Sequence, residues 1–236
     1  MSRVAFVAGA SGYTGREVVA ALRAEGVRTV AHVRPGSAAV ARLGPRFAEL
    51  GAELDTTPWD ETAMATTLAR LAPDVVFALL GTTKSRARQA RARGEDASYE
   101  AVDYGLTALL RRAAATLPRP PRFVYLSAAG AKLGAPGAYG TARAKVEAEL
   151  GAGTLPYTIA RPSFITGSDR DESRPGERLG AGAIDGLLAL GKVFGARRTW
   201  ARYRSTSNAV LAAALVRIAF DPTWENRVAE SEDLRA

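Results

Sequence analysis

The segment Gly9-Ala10-Ser11-Gly12-Tyr13-Thr14-Gly15 combines residue type and spacing in the way that phosphate chemistry requires. It lies between an apolar run, Arg3 to Ala8, and an amphipathic stretch from Arg16 to Glu25 with Val18, Val19 and Leu22 on one face. In a strand-to-helix turn, Gly9 permits the sharp exit, Gly12 lets a diphosphate approach the backbone, and Gly15 lets the helix lie close to the sheet. The first N–H groups of a helix have no partner within it, so they meet the negative charge. Ser11, Tyr13 and Thr14 complete this cradle for a dinucleotide. A turn that uses glycine for geometry alone is the competing reading.

The next apolar run, Arg28 to Val33, ends in His32-Val33-Arg34-Pro35-Gly36-Ser37, with no carboxylate before Glu49. A carboxylate there would hold a ribose 2′-hydroxyl, whereas an arginine suits a 2′-phosphate. The planar fork of Arg34, with a hydroxyl bond from Ser37, favours NADP over NAD. His32 is expected to pack rather than to catalyse.

Composition removes other chemistries. There is no cysteine, so disulfides, thiolate nucleophiles and Cys-ligated metals are excluded, and no metal site is expected. A single histidine excludes a Ser-His-Asp triad unless His32 itself serves. No apolar run reaches the roughly 18 residues of a membrane span. The start of the chain does not resemble a signal peptide, so a cytoplasmic protein without membrane contact is expected. The formal charge is +8, with cations clustered at Lys84, Arg86, Arg88, Arg91 and Arg93. No aromatic residues interleave them, so a solvated surface is expected and nucleic acid is not.

The elements around these residues alternate. Strands are predicted at Arg3 to Ala8, Arg28 to Val33, Ala52 to Leu54, Asp74 to Leu80, Arg122 to Ser127 and Tyr157 to Arg161. Helices are predicted at Arg16 to Glu25, Ser37 to Leu50 with a break near Gly44-Pro45, Asp60 to Leu71, Ser98 to Ala115 and Ala138 to Leu150. The arginine-rich stretch after Leu80 reads as a loop. This rhythm is that of an α/β protein with a doubly wound parallel sheet. After Pro162 it stops: Gly167 to Gly180 reads as loop, helices follow near Ile184 to Val193 and Asn208 to Phe220, and the last residues read as frayed. Residues 1–165 are therefore expected to form the core, and 166–236 a loop and small helical appendage completing the same domain. Ligands bind beyond the carboxyl ends of such strands, which places Leu80, Gly81 and Thr82 beside the adenine-side ribose and diphosphate, and Pro162, Ser163 and Phe164 beside the nicotinamide.

The glycine loop, Leu80-Gly81-Thr82-Thr83, Val102-Asp103-Tyr104 and Leu126-Ser127 ahead of a Tyr139-containing helix resemble atypical short-chain dehydrogenases. With Arg161-Pro162 and Ser173-Arg174-Pro175-Gly176-Glu177, the resemblance narrows to the NmrA-like, Tat-interacting-protein-like branch and spans roughly residues 3–215. It implies a Rossmann fold, bound NADP and a Ser-Tyr-Lys catalytic set. Tyr139 matches the tyrosine, a phenol that exchanges a proton with a substrate oxygen while hydride moves. Arg143 stands one helical turn on, where the family has lysine; as a catalytic candidate it supplies positive charge beside Tyr139 and a bond to a nicotinamide ribose hydroxyl, but cannot readily release a proton. Lys145 lies six residues from Tyr139, roughly 120° away around a helix, and does not replace it. Ser127 is the candidate hydrogen-bond donor, although Ala128 stands where many relatives carry a second serine. The alternative for Tyr139 is an aromatic packed over residues 132–137. Asp103 is expected to bond across to the loop after the fourth strand.

Two functions follow. One is an NADP-dependent oxidoreductase acting on a small carbonyl or alcohol. The other is a non-catalytic NADP(H) sensor acting through a protein partner.

Overall fold

The apolar runs pair side by side as one parallel sheet in the computed structural model, which describes residues 3–134, 137–163, 165–166 and 206–235. Its strands are β1 (Val4–Ala8), β2 (Arg28–His32), β3 (Glu53–Asp55), β4 (Val75–Ala78), β5 (Arg122–Leu126), β6 (Tyr157–Arg161) and β9 (Arg227–Glu230), in the order β3-β2-β1-β4-β5-β6-β9. A second ladder pairs β7 (Ile165–Thr166) with β8 (Thr206–Ser207). The chain reverses direction across the sheet at β1: Val7 lies opposite Ala31 of β2 on one side and Phe77 of β4 on the other. A crevice at the carboxyl ends follows from that reversal.

Both faces are covered, which is why the strands are apolar almost throughout. Ala5 and Val7 point to one face with α1 (Tyr13–Ala24), α2 (Ala38–Glu49) and α7 (Asn208–Phe220). Phe6 and Ala8 point to the other with α3 (Glu61–Leu71), α5 (Thr107–Ala115) and α6 (Ala138–Ala152). Local signals set several boundaries as expected: Asp60 caps α3 by accepting from Ala63 N at 2.9 Å, and α7 spans the predicted residues.

Four expectations change. The arginine-rich loop is instead α4 (Lys84–Arg91), capped by Thr83. Its Ala87 and Ala90 face inward, and arginine and alanine are strong helix formers, which a reading weighted by polarity overlooked. α2 runs through Pro45 without a break, anchored by buried Leu43 and Phe47 on either side. The predicted helix from Ser98 begins as a π-helix, Tyr99–Leu106, before α5 continues it. Finally, the polar C-terminal stretch holds β9, which extends the sheet beside β6 and joins α7 in completing the domain. Arg161 fixes this pairing by bridging Glu147 of α6 and Glu230 of β9, the latter at 3.0 Å. Ile184 to Val193, Phe164 and Ser173 to Glu177 lie outside the described residues. Among the described residues no helix is long and apolar enough to cross a membrane, and no group of three or more potential metal ligands occurs.

Candidate functional site

β1 leaves the sheet at Gly9, whose φ is +86°. A Cβ on Gly9 would lie 2.6 Å from Leu79 O, and one on Gly15 would lie 2.1 Å from Gly9 O. The chain's own backbone therefore demands glycine at both places. Gly12 differs. Its φ is an ordinary −73°, its N–H donates to Gly9 O at 2.9 Å, and a Cβ would meet only Gly9 O at 3.1 Å. The fold accepts a side chain there more readily than at Gly9 or Gly15, at the cost of a small shift of the Gly9 carbonyl, and the bare backbone leaves room for a ligand to approach.

The helix that begins at this loop points the same way. α2, α3, α4 and α7 start under a capping side chain from Ser37, Asp60, Thr83 and Ser207. α1, like α6, starts without a side-chain cap and with no carboxylate in its first turn. Such an end, at the positive pole of the helix dipole, suits a diphosphate. Asn208 at the start of α7 pins it, donating from Nδ2 to Tyr13 O at 2.7 Å. Ser11 and Tyr13 are half-buried in this loop, while Thr14 is buried.

Arg34 follows β2 and is exposed. Arg34-Pro35-Gly36-Ser37 forms a type II turn, with Ser37 N donating to Arg34 O at 3.2 Å and Gly36 at φ +70°. Ser37 Oγ accepts from Ala39 N at 3.2 Å to cap α2 and keeps its own proton to donate. The two candidates for a 2′-phosphate thus flank one turn. His32 is buried away from them, between Phe6 and Trp59. Its Nε2 lies 2.8 Å from Thr57 O, so that nitrogen carries the proton, and burial lowers its pKa. It packs, as expected.

At the ends of β4 and β5 the candidates gather around a buried pair. Asp103, from the π-helix, accepts from Thr82 N at 2.9 Å through Oδ2, the cross-link expected from sequence. Its Oδ1 lies 2.8 Å from Arg143 Nη2 in an ion pair without a well-aligned hydrogen bond. Burial pushes the Asp103 carboxyl up against the pull of Arg143 and the Thr82 N–H. Arg143 also donates from Nη1 to Leu126 O at 2.5 Å and from Nη2 to Leu80 O at 3.0 Å. Burial lowers its pKa, but Tyr139, Tyr125 and Asp103 outweigh this and the net shift is upward, so it stays charged. The side chain of Arg143 is only 6% exposed, underneath the site. Gly81 makes room for it: a Cβ there would lie 2.8 Å from Arg143 Nη2.

Tyr139 is 40% exposed at the start of α6. Its ring stands edge-on to Tyr99, with centroids 5.3 Å apart, and 5.2 Å from the Arg143 guanidinium. Ser127 is buried just beyond β5, its N–H donating to Ala160 O at 2.8 Å and its Oγ without a partner among the described residues. Lys145 points elsewhere, to Glu100 at 2.7 Å, as the helical offset requires. Pro162 O accepts from Ala129 N at 2.9 Å, and Ser163 N donates to Ser231 Oγ at 3.2 Å. Ser231 in turn meets Arg235 at 3.1 Å, tying the strand end to the C-terminal segment.

Sequence reasoning missed Tyr125 and Asn208. Tyr125 is fully buried on β5 beside Arg143, its hydroxyl without a well-aligned hydrogen bond among the described residues and its pKa pushed up to about 12 by burial. A core tyrosine where phenylalanine would pack is the only signal it gave. Asn208 gave none, since its partner is a backbone carbonyl 195 residues away in sequence. Two hollows of about 240 and 320 Å3 share Pro73, Asp74 and Arg119 at the amino ends of the strands, opposite the glycine loop.

The profile of a family described as NAD(P)H-binding matches residues 9–184. No curated protein matches the sequence. Among solved structures, an epimerase described as putative, from Burkholderia cenocepacia J2315, superposes with TM-score 0.61 at 22% identity, over 99% of this chain and 78% of that one. A putative NAD-dependent epimerase/dehydratase from Bacillus halodurans gives 0.65 at 16%, over 99% of both chains. An anaerobillin reductase from Escherichia coli O157:H7 gives 0.62 at 15%, over 96% of this chain and 95% of that one. At such identities the likeness is one of fold.

Proposed function

The chain belongs to the NAD(P)H-binding family, and on that premise we propose an oxidoreductase that binds NADP in preference to NAD and acts on a carbonyl or alcohol of a small molecule. The observation that carries the dinucleotide site is Gly12 at the uncapped start of α1, where a Cβ would meet the chain at Gly9 O alone. Gly9, Ser11, Gly12, Tyr13, Thr14 and Gly15 hold the diphosphate. Arg34 and Ser37 take the 2′-phosphate, and Leu80, Gly81, Thr82, Pro162 and Ser163 line the remainder.

The nicotinamide, when bound, supplies or accepts the hydride. The chain's own residues handle the substrate oxygen. Tyr139, exposed and aromatic-packed, exchanges its phenolic proton with that oxygen. Ser127 Oγ, buried and without a partner among the described residues, donates a hydrogen bond to it. Arg143 keeps a permanent positive charge against the Tyr139 ring. The NmrA-like, Tat-interacting-protein-like affiliation and a cytoplasmic location belong to the same reading.

A second reading has its own support. Arg143 is committed to Leu80 O, Leu126 O and Asp103 and does not readily release a proton to a relay, which favours a redox sensor acting through a protein partner. One experiment separates the two: NADPH binding by fluorescence, with turnover over a panel of aldehydes, ketones and quinones. The enzyme reading expects NADPH oxidation that falls at least 100-fold in Tyr139→Phe. Tight binding with no Tyr139-dependent turnover leaves the sensor.

A further inference from the structure

We propose that Arg143 is a positioning residue rather than a ligand of substrate or cofactor, and that Tyr125 is the buried platform that suits an arginine to this place. The inference rests on the reading of Tyr139 as the acid/base.

One guanidinium here joins four parts of the carboxyl edge. Nη1 holds the end of β5 through Leu126 O, and Nη2 holds the end of β4 through Leu80 O. The ion pair to Asp103 brings in the π-helix, and the ring contact at 5.2 Å brings in Tyr139 on α6. The Tyr125 ring, 5.7 Å from the guanidinium carbon, is the second aromatic surface against the same group. A planar, delocalised cation can fork to two carbonyls while its faces contact aromatic rings. An ammonium is a compact charge with no face to stack and a stronger hold on water.

Two further residues fit this use of arginine. Gly81 has no side chain where a Cβ would come within 2.8 Å of Nη2, so the loop after β4 clears the guanidinium. Asp103 is wholly buried, and its second oxygen anchors Thr82 N, so the counter-charge is itself tied to that loop. Tyr125 bears a polar cost that phenylalanine would avoid. Its hydroxyl is buried beside the cation without a well-aligned hydrogen bond among the described residues, whereas Phe123, two residues earlier on the same face, carries no such group. The arginine thus acts through Tyr139: it fixes where the phenol stands relative to the two strand ends.

The test uses the full chain with Arg143→Lys, Tyr125→Leu and Tyr125→Phe. The first readout is NMR of the arginine guanidinium protons, the Arg143 signals being those that vanish in Arg143→Lys. In the unaltered protein they are resolved and slow to exchange. They collapse in Tyr125→Leu and return in Tyr125→Phe, which restores the ring. The second readout is turnover. Arg143→Lys and Tyr125→Leu lower kcat by 10- to 100-fold, with KM and NADPH affinity within about threefold, as expected when a reacting group is misplaced by an ångström or less. Tyr125→Phe recovers most of the loss seen in Tyr125→Leu.

Arg143→Lys with kcat equal to or above that of the unaltered protein overturns the proposal, as do Arg143 signals and kcat unchanged in Tyr125→Leu. If the unaltered protein turns over no carbonyl substrate, the oxidoreductase reading fails by itself. The guanidinium signals of the two Tyr125 variants then still decide whether Tyr125 is the platform.

Discussion

Replacing Gly12 and Gly15 separately by alanine divides what the glycine loop does for the fold from what it does for a ligand. In Gly15→Ala the new methyl would stand 2.1 Å from Gly9 O and 2.8 Å from Ala10 Cα, both backbone atoms. Ordinary contact needs more than 3.4 Å, so α1 and the loop must part by about 1 Å. Overpacking of this kind costs about 1–3 kcal/mol. For a chain of this length that is a fall in Tm of about 2–12 °C, and the displaced loop loses dinucleotide affinity too. In Gly12→Ala the methyl meets only Gly9 O at 3.1 Å, at a φ of −73° that alanine adopts freely. Alanine is a poorer N-cap than glycine by about 0.5–1 kcal/mol, so Tm falls by about 1–4 °C. The same methyl stands where backbone should meet the diphosphate, and NADPH affinity drops at least tenfold. Differential scanning fluorimetry gives Tm and isothermal calorimetry gives Kd. Undiminished NADPH affinity in Gly12→Ala would refute placement of the diphosphate at the start of α1. An unchanged Tm in Gly15→Ala would refute the close-approach argument.

Arg34→Ala removes the phosphate fork after β2, and NADPH binding weakens tenfold or more while NADH binding stays put, so the ratio of the two dissociation constants measures it. Arg122 donates to Asp221 O at 2.6 Å and to Ala219 O at 3.3 Å at the end of α7, and pairs with Glu225 at 2.8 Å. Arg122→Ala therefore costs about 1–3 kcal/mol in urea unfolding without changing NADPH affinity, because it acts at the opposite end of the strands. Burial holds the His32 pKa below its ordinary 6.5, so the unfolded chain takes up a proton first as pH falls. Its contribution is intact above pH 6.5 and is lost as pH drops through the folded-state pKa. Unfolding free energy between pH 7 and 5 falls more steeply in the unaltered protein than in His32→Gln, and parallel slopes count against the assignment.

Local chemistry was legible wherever a few neighbouring residues settle a conformation. Asp60 ahead of an amphipathic run marks the start of α3, and the spacing of Tyr139, Arg143 and Lys145 says which of the two cations shares the tyrosine's face. The three glycines marked a strand, a turn and a helix in that order. β9 was not legible. Its four residues offer only Val228 and Ala229 as apolar positions, and what makes them a strand is the exposed edge of β6, with Arg161 waiting for Glu230. α4 was misread because its apolar signal is no more than two alanines.

The sequence by itself determined that Arg143 lies one turn beyond Tyr139, since helical periodicity is a short-range property. Where that guanidinium goes was decided by tertiary structure alone. Its acceptors, Leu126 O and Leu80 O, lie 17 and 63 residues away and come together only once β4 and β5 pair in register. A carbonyl is the same group at every residue, so no residue type advertises it as a partner, and the parallel sheet must first bring the two strand ends side by side.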